Sequence, residues 1–163
     1  MKTQRTNRER WRDELRQELV HDPYQSKGKP PEATRCPECG AVYHGGRWQW
    51  GAAGAGAHEQ LCPACHRMRD HFPAGYVTLS GPFVSEHRDE LLQLARHHEA
   101  KEKAEHPLER IMAIEDVEGG VLITTTDTHL AHDIGEAVRA AYSGSLEFRY
   151  SKEENLLRVH WTR

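Results

Sequence analysis

The sequence predicts an α+β protein in three parts: a basic N-terminal helical arm, a four-cysteine zinc ribbon or treble-clef module, and a ferredoxin-like α+β domain. Three observations carry this. Two Cys-x-x-Cys pairs use all four cysteines of the chain. A Pro/Gly/Lys-rich stretch separates them from an Arg-rich start, and a regular alternation of strand and helix patterns follows them. The predicted boundaries are residues 1–35 for the arm and its linker, 36–74 for the cysteine module, and 75–163 for the α+β domain. A length of 163 residues with 37% hydrophobic and 29% charged residues is globular. The mean hydropathy of −0.83 and aromatic content of 7% leave a lean core, which suits a small metal-stapled module beside a compact domain.

Charge is unevenly spread. Residues 1–35 hold nine Lys/Arg against six Asp/Glu, whereas residues 107–163 hold six against ten. A basic head and an acidic tail suit nucleic-acid binding at the head, as would a solvated helix with its linker. The N-terminus has no apolar signal-peptide core and no later stretch is long and apolar enough for a membrane span, so a cytoplasmic location is expected.

Within the arm, Asn7 caps a predicted helix over 7–20, with Trp11, Leu15 and Leu19 on a narrow apolar stripe and Arg5, Arg8, Arg12 and Arg16 around it. So thin a stripe does not hold an isolated helix in water, so the helix is expected to dock or to form on binding. "HDPYQSKGKPPEATR", with three prolines and Lys27 and Lys29, reads as an extended linker.

Cys36 and Cys39 in "CPEC" and Cys62 and Cys65 in "CPAC" are the metal candidates; twenty-two residues separate the pairs, a little beyond the usual spacing because of a Gly/Ala loop, "GAAGAGA". Each pair bends the backbone so that two sulfurs converge, Gly40 suits the tight turn of a knuckle, and "HRMRD" reads as the start of a short helix. Four thiolates saturate a tetrahedral cation and leave no position open for water. Zinc is the expected cofactor, with a rubredoxin-type iron its rival for the same donors. Cys-x-x-Cys-His is also a haem-attachment signature, but that chemistry has no route in the cytosol. A redox dithiol fits less well, because two equivalent pairs argue for shared ligation.

His66 is read as a surface residue beside the second pair. "AHEQLCPAC" lacks the His-x-Glu spacing of a nucleobase deaminase. In "DTHLAHD", Asp127, His129, His132 and Asp133, with the histidines three apart near a helix start, are candidates for a second metal; the simpler reading makes Asp127 a helix cap and leaves the histidines in solvent. With no phosphate loop, dinucleotide fingerprint or nucleophile elbow, a non-enzymatic role is expected.

"YHGGRWQW" reads as a hairpin bearing Tyr43, Arg47, Trp48 and Trp50, and Arg67 and Arg69 follow the second pair. Guanidinium groups and aromatic faces of this kind bind phosphates and unstacked bases, although in so small a module the tryptophans can instead be its core. The predicted RNA-contact set is Arg5, Arg8, Arg12, Arg16, Lys27, Lys29, Arg47, Trp48, Trp50, Arg67 and Arg69.

In the last part, "YVTLS" is a predicted strand, and Ser85 caps a predicted helix over 86–105. "LERIMAIED" and "VLITTT" are two strands, and Asp127 caps a helix with Leu130, Ile134, Ala137, Val138 and Ala141 on one face. Two strands close the chain, with Leu146, Phe148 and Tyr150, then Leu157, Val159 and Trp161, pointing inward. This order is a ferredoxin-like βαββαβ plus one strand, whose edge is open to pairing with a second copy; the oligomeric state stays open.

The layout "CPECG", "GRWQW", "CPACHRMRDHFPAGYVTLSG", "HPLERIM" and "GGVLITTTDTHLAHDIGEAVRAAYSG" resembles small bacterial zinc-ribbon proteins of low-oxygen-activated gene clusters. Through them it resembles the archaeal and eukaryotic adapter family for export of the large ribosomal subunit. The resemblance covers roughly residues 36–150, and its sharp part is the two cysteine pairs. That adapter carries more cysteine pairs, further domains and an export-signal tail, which these residues lack. Export has no place in a bacterium, so the resemblance implies ribosome binding at the large subunit or tRNA sites, in stress-linked hibernation or translational restraint. The alternative is a module that binds a protein partner, for example in the transcription machinery.

Overall fold

The computed structural model describes Tyr24 and residues 28–163. The predicted helix over 7–20 and its candidates Arg5, Arg8, Arg12 and Arg16, together with Lys27, lie outside the described residues. Among the described residues the chain is a mixed α+β structure of three helices and two sheets. Strands β1 (Thr34–Arg35), β2 (Val42–His44), β3 (Arg47–Gln49) and β4 (His58–Glu59) form a small sheet ordered β3-β2-β1-β4. Helix α1 (Pro63–Asp70) follows it. The second sheet takes β5 (Gly75–Ser80), β6 (Ile111–Val117), β7 (Gly120–Thr125), β8 (Ser145–Ser151) and β9 (Leu156–Thr162), with α2 (Pro82–Glu105) and α3 (Thr128–Tyr142) between them.

The order of this sheet is β6-β7-β5-β9-β8, with β5 and β9 parallel and every other neighbour antiparallel. The strand added to the ferredoxin-like pattern is therefore not an edge. β9 inserts between β5 and β8 and is paired on both sides, which leaves β6 and β8 at the rims. Its inward residues Leu157, Val159 and Trp161 are fully buried and alternate with exposed Arg158 and His160, as a strand with one covered face requires.

Both helices cover that face. Leu130, Ala131, Ile134 and Val138 of α3 and Leu91, Leu92 and Ala95 of α2 join Val77, Leu79, Ile123 and Trp161 in one core. The buried stripe of α3 differs from the expected one: Ala141 is exposed and Ala137 half-buried, while Ala131 and Gly135 face the sheet. A Cβ at Gly135 would stand 2.6 Å from Val159, so the helix sits close enough to β9 that only glycine fits.

Helix α2 begins at Pro82, three residues before the expected Ser85 cap. Gly81 takes φ +108°, where a Cβ would meet the Arg163 carbonyl oxygen at 2.2 Å, and Pro82 then supplies a pre-set helical φ. The helix kinks at His87, which has φ −121° and ψ 23° and stacks on Phe83 with centroids 4.0 Å apart. No described helix is long and apolar enough to cross a membrane.

Candidate metal centre

Two turns bring the cysteines together. After Cys36 the chain reverses through Gly40, at φ +79°, closed by Gly40 N–H to the Cys36 carbonyl at 3.0 Å and Cys36 N–H to the Ala41 carbonyl at 2.8 Å. Cys62 caps α1: its Sγ accepts from the Cys65 backbone N–H at 3.4 Å, and Pro63 opens the helix. The cap is thus also a candidate ligand, and the helix places Cys65 on the same side. Parallel pairing of β1 with β4 brings the second half of the module back beside the first.

The four sulfurs lie within 4.8 Å of one another, and Cys39 and Cys62 are 3.7 Å apart. A disulfide needs about 2.05 Å, whereas two corners of a tetrahedral zinc–thiolate site with bonds of about 2.3 Å stand about 3.8 Å apart. The cluster is a set of donors able to hold a metal ion, and its spacing fits zinc.

Backbone N–H groups turn toward the sulfurs, from Ala41 to Cys39 at 3.5 Å and from Cys62 to Cys36 at 3.3 Å. Burial alone would raise the Cys36 thiol, but N–H groups around Cys39, Cys62 and Glu38 outweigh it and lower it to about 7. Burial, with the sulfurs around it, pushes Cys62 well up. Cys65 is also raised by burial, against the pull of Arg110. A bound cation would hold the raised Cys62 and Cys65 as thiolates.

Arg110, which the sequence reading did not single out, is the residue that completes the centre. Its Nη1 donates to Cys65 Sγ at 3.1 Å and its Nη2 is 3.5 Å from Cys62 Sγ, while Nε donates to the Pro107 carbonyl at 2.8 Å. The side chain is 7% exposed, and despite its burial the sulfurs hold its guanidinium firmly charged. Four thiolates on a divalent cation leave two negative charges, and Arg110 offsets one of them from the other half of the molecule. Nothing local in "HPLERIM" signals this contact, because it spans 45 residues of chain.

Two further contacts join the halves. Leu108 packs against the cysteine cluster, and Trp50 Nε1 donates to the Lys103 carbonyl of α2 at 2.7 Å.

The predicted RNA-contact residues separate on the surface. Lys29 and Arg47 are exposed and Trp48 is half-buried, and all three line one groove of about 960 Å³ whose lining also takes in the segment after α2 (His106 to Glu109) and the start of α3. Trp48 also packs edge-on against Tyr43 and against the cysteine cluster, so it is partly core. Trp50 remains 39% exposed although its N–H is committed to α2. Arg69 is exposed and paired with Glu38.

Arg67 corrects the expectation. It is 1% exposed, donates to the Phe72 carbonyl at 3.1 Å and lies over the Tyr24 ring at 4.4 Å, so it offers no surface to a ligand in this fold. The helix puts position 67 on its inner face with Ala64, which charge alone did not reveal.

The histidine readings divide too. His66 stays exposed beside Asp70, at 3.4 Å, and takes no part in the sulfur cluster. Asp127 is the cap of α3, accepting from Leu130 N–H at 3.2 Å. His132 is not solvated: it stacks on Phe148 at 4.6 Å with its side chain 16% exposed.

No family model matches the chain, and neither a curated protein nor a solved structure is similar to it.

Proposed function

We propose that this is a cytoplasmic, non-enzymatic zinc protein that binds ribosomal RNA. On this reading it acts on the large subunit or the tRNA sites, limiting translation or protecting idle ribosomes under stress such as low oxygen. The observation that carries the reading is that Lys29, Arg47 and Trp48 line one groove beside the module whose four cysteines can hold an ion. A cation and a guanidinium beside an indole face combine phosphate pairing with base stacking, and a hairpin fixed by a metal would present Arg47 and Trp48 without a large ordering cost. Zinc fits the sulfur spacing, and the cysteine layout resembles that of the ribosomal adapter family.

Sedimentation of cell lysate through a sucrose gradient tests this. The protein is expected to travel with 70S or large-subunit peaks and to leave them at high salt, because phosphate contacts release counterions. Confinement to the top of the gradient, or an association indifferent to salt, would contradict the reading.

A second reading, binding to a protein partner such as a component of the transcription machinery, draws on Met68 and Phe72 at the end of α1, which are 37% and 43% exposed. Pull-down after nuclease treatment separates the two: recovery that depends on RNA supports the first, and undiminished recovery supports the second.

A further inference from the structure

The groove lined by Lys29, Arg47 and Trp48 also has an acidic lining, here called its floor. His106, Glu109, Asp127 and Asp133 belong to it, and Glu102 precedes His106 by one turn at the end of α2. The local backbone explains the grouping. His106 N–H closes the helix onto the Glu102 carbonyl at 2.7 Å, and Glu109 N–H returns to the His106 carbonyl at 3.0 Å. A helical turn followed by a tight turn therefore keeps residues 102, 106 and 109 on one side of the chain.

One donor atom from each of Glu102, His106 and Glu109 lies within 4.8 Å of the others. Two carboxylates and an imidazole form a mixed oxygen and nitrogen set that suits divalent first-row metals, and bonds of about 2.0–2.2 Å come within reach as the flexible glutamates close in.

A second observation concerns Glu109 itself. Its Oε2 has less than 1 Å² of exposed surface and no hydrogen-bond partner. A buried carboxylate oxygen without a donor is costly unless a proton or a cation attends it. Among the described residues, no Lys or Arg forms an ion pair with Glu102, Glu109 or Asp127. Burial raises the Glu109 carboxyl to about 8, and the charges of Asp127, Glu102 and Asp133 act in the same direction.

We propose that Glu102, His106 and Glu109 bind a divalent transition-metal cation at the floor of the groove, separate from the four-cysteine centre. Asp127, already committed to capping α3, and Asp133 add negative potential around it. The cation would supply the positive charge that this acidic lining lacks. The proposal stands on the acidic floor alone and is independent of the RNA reading.

Mn²⁺ is the probe of choice, because it prefers oxygen and imidazole donors and competes poorly for thiolates. The zinc-loaded full chain is titrated with Mn²⁺, and unbound Mn²⁺ is read by its paramagnetic resonance signal. One saturable equivalent is expected. It should weaken on the order of tenfold or more in both Glu109→Gln and His106→Ala, since even outer partners of metal ligands are worth about 10- to 100-fold. Glu105→Gln, an exposed neighbour outside the set, should bind as the parent does. Unchanged zinc content and circular dichroism in each variant show that the fold is intact. Absence of a saturable equivalent in the parent, or equal binding in folded Glu109→Gln and His106→Ala, would overturn the proposal.

Discussion

Among the described residues, the five-stranded sheet with its two helices buries fifteen in one cluster, headed by Trp161, Leu79, Ile123 and Leu157; the cluster in the cysteine module has five, three of them cysteines. The first region has enough apolar surface to specify its own packing, at about 1.5–3 kcal/mol for each large side chain buried. The second does not. Its strands are two or three residues long, and its interior is mostly sulfur and alanine. A cation held by the four cysteines would therefore replace a hydrophobic core in one half of the molecule, and Arg110 would tie it to the half that has such a core.

The largest way to break this comparison is Cys39→Ser. Structural zinc contributes on the order of 10 kcal/mol to folding of such modules, so the module should unfold and lose its metal. The strands from β5 to β9 should keep their circular dichroism and cooperative melting. A variant that retains stoichiometric zinc would contradict the assignment of Cys39 as a ligand.

Arg110→Met acts at the joint. It removes two charge-assisted contacts to sulfur while roughly keeping side-chain volume, and a cost of about 3 kcal/mol is expected. Zinc should pass to a chelator measurably faster, which a colorimetric competition assay reads. Loss of melting temperature with unchanged zinc transfer would reduce Arg110 to a packing role.

Gly135→Ala strikes only the region with its own core. Crowding against Val159 should cost about 1–3 kcal/mol in denaturant unfolding, with zinc transfer unaffected. Trp50→Phe is milder, removing the bond to the Lys103 carbonyl for about 1 kcal/mol, and loosening of the joint should appear as faster amide exchange at the end of α2.

A different kind of effect is on pH dependence. Glu109 ionises near 4.5 in an unfolded chain and about 8 in the folded one, so between those values the folded state binds more protons. In zinc-loaded protein without other divalent cations, stability should fall as pH rises through that window. Glu109→Gln should flatten this slope in melting curves recorded from pH 5 to 8; an unchanged slope would show that Glu109 does not set it.

The sequence showed much of this plan where the signal was local. Two cysteine pairs, the alternation of Leu157, Val159 and Trp161, the Asp127 cap and the Gly45–Gly46 hairpin turn are each readable within a few residues. A local signal can also mislead: Ser85 reads as a helix cap, but Gly81 and Pro82 begin α2. Non-local facts left no trace. The insertion of β9 between β5 and β8 depends on which strand pairs with which. Arg67 reads as surface charge although its helix turns it inward, and Arg110 meets Cys62 and Cys65 only once both halves have folded. The acidic floor was half visible in "DTHLAHD", whose Asp127, His129 and Asp133 do line the groove, but its candidate ligands come from the end of α2.

Amide hydrogen exchange of the full chain, before and after its metal is removed by a chelator, tests the central claim most directly. The account predicts that amides from Thr34 to Asp70 lose protection when the metal leaves, while those of β5, β7, β9 and α3 keep theirs. Equal protection of the cysteine module with and without metal would contradict it.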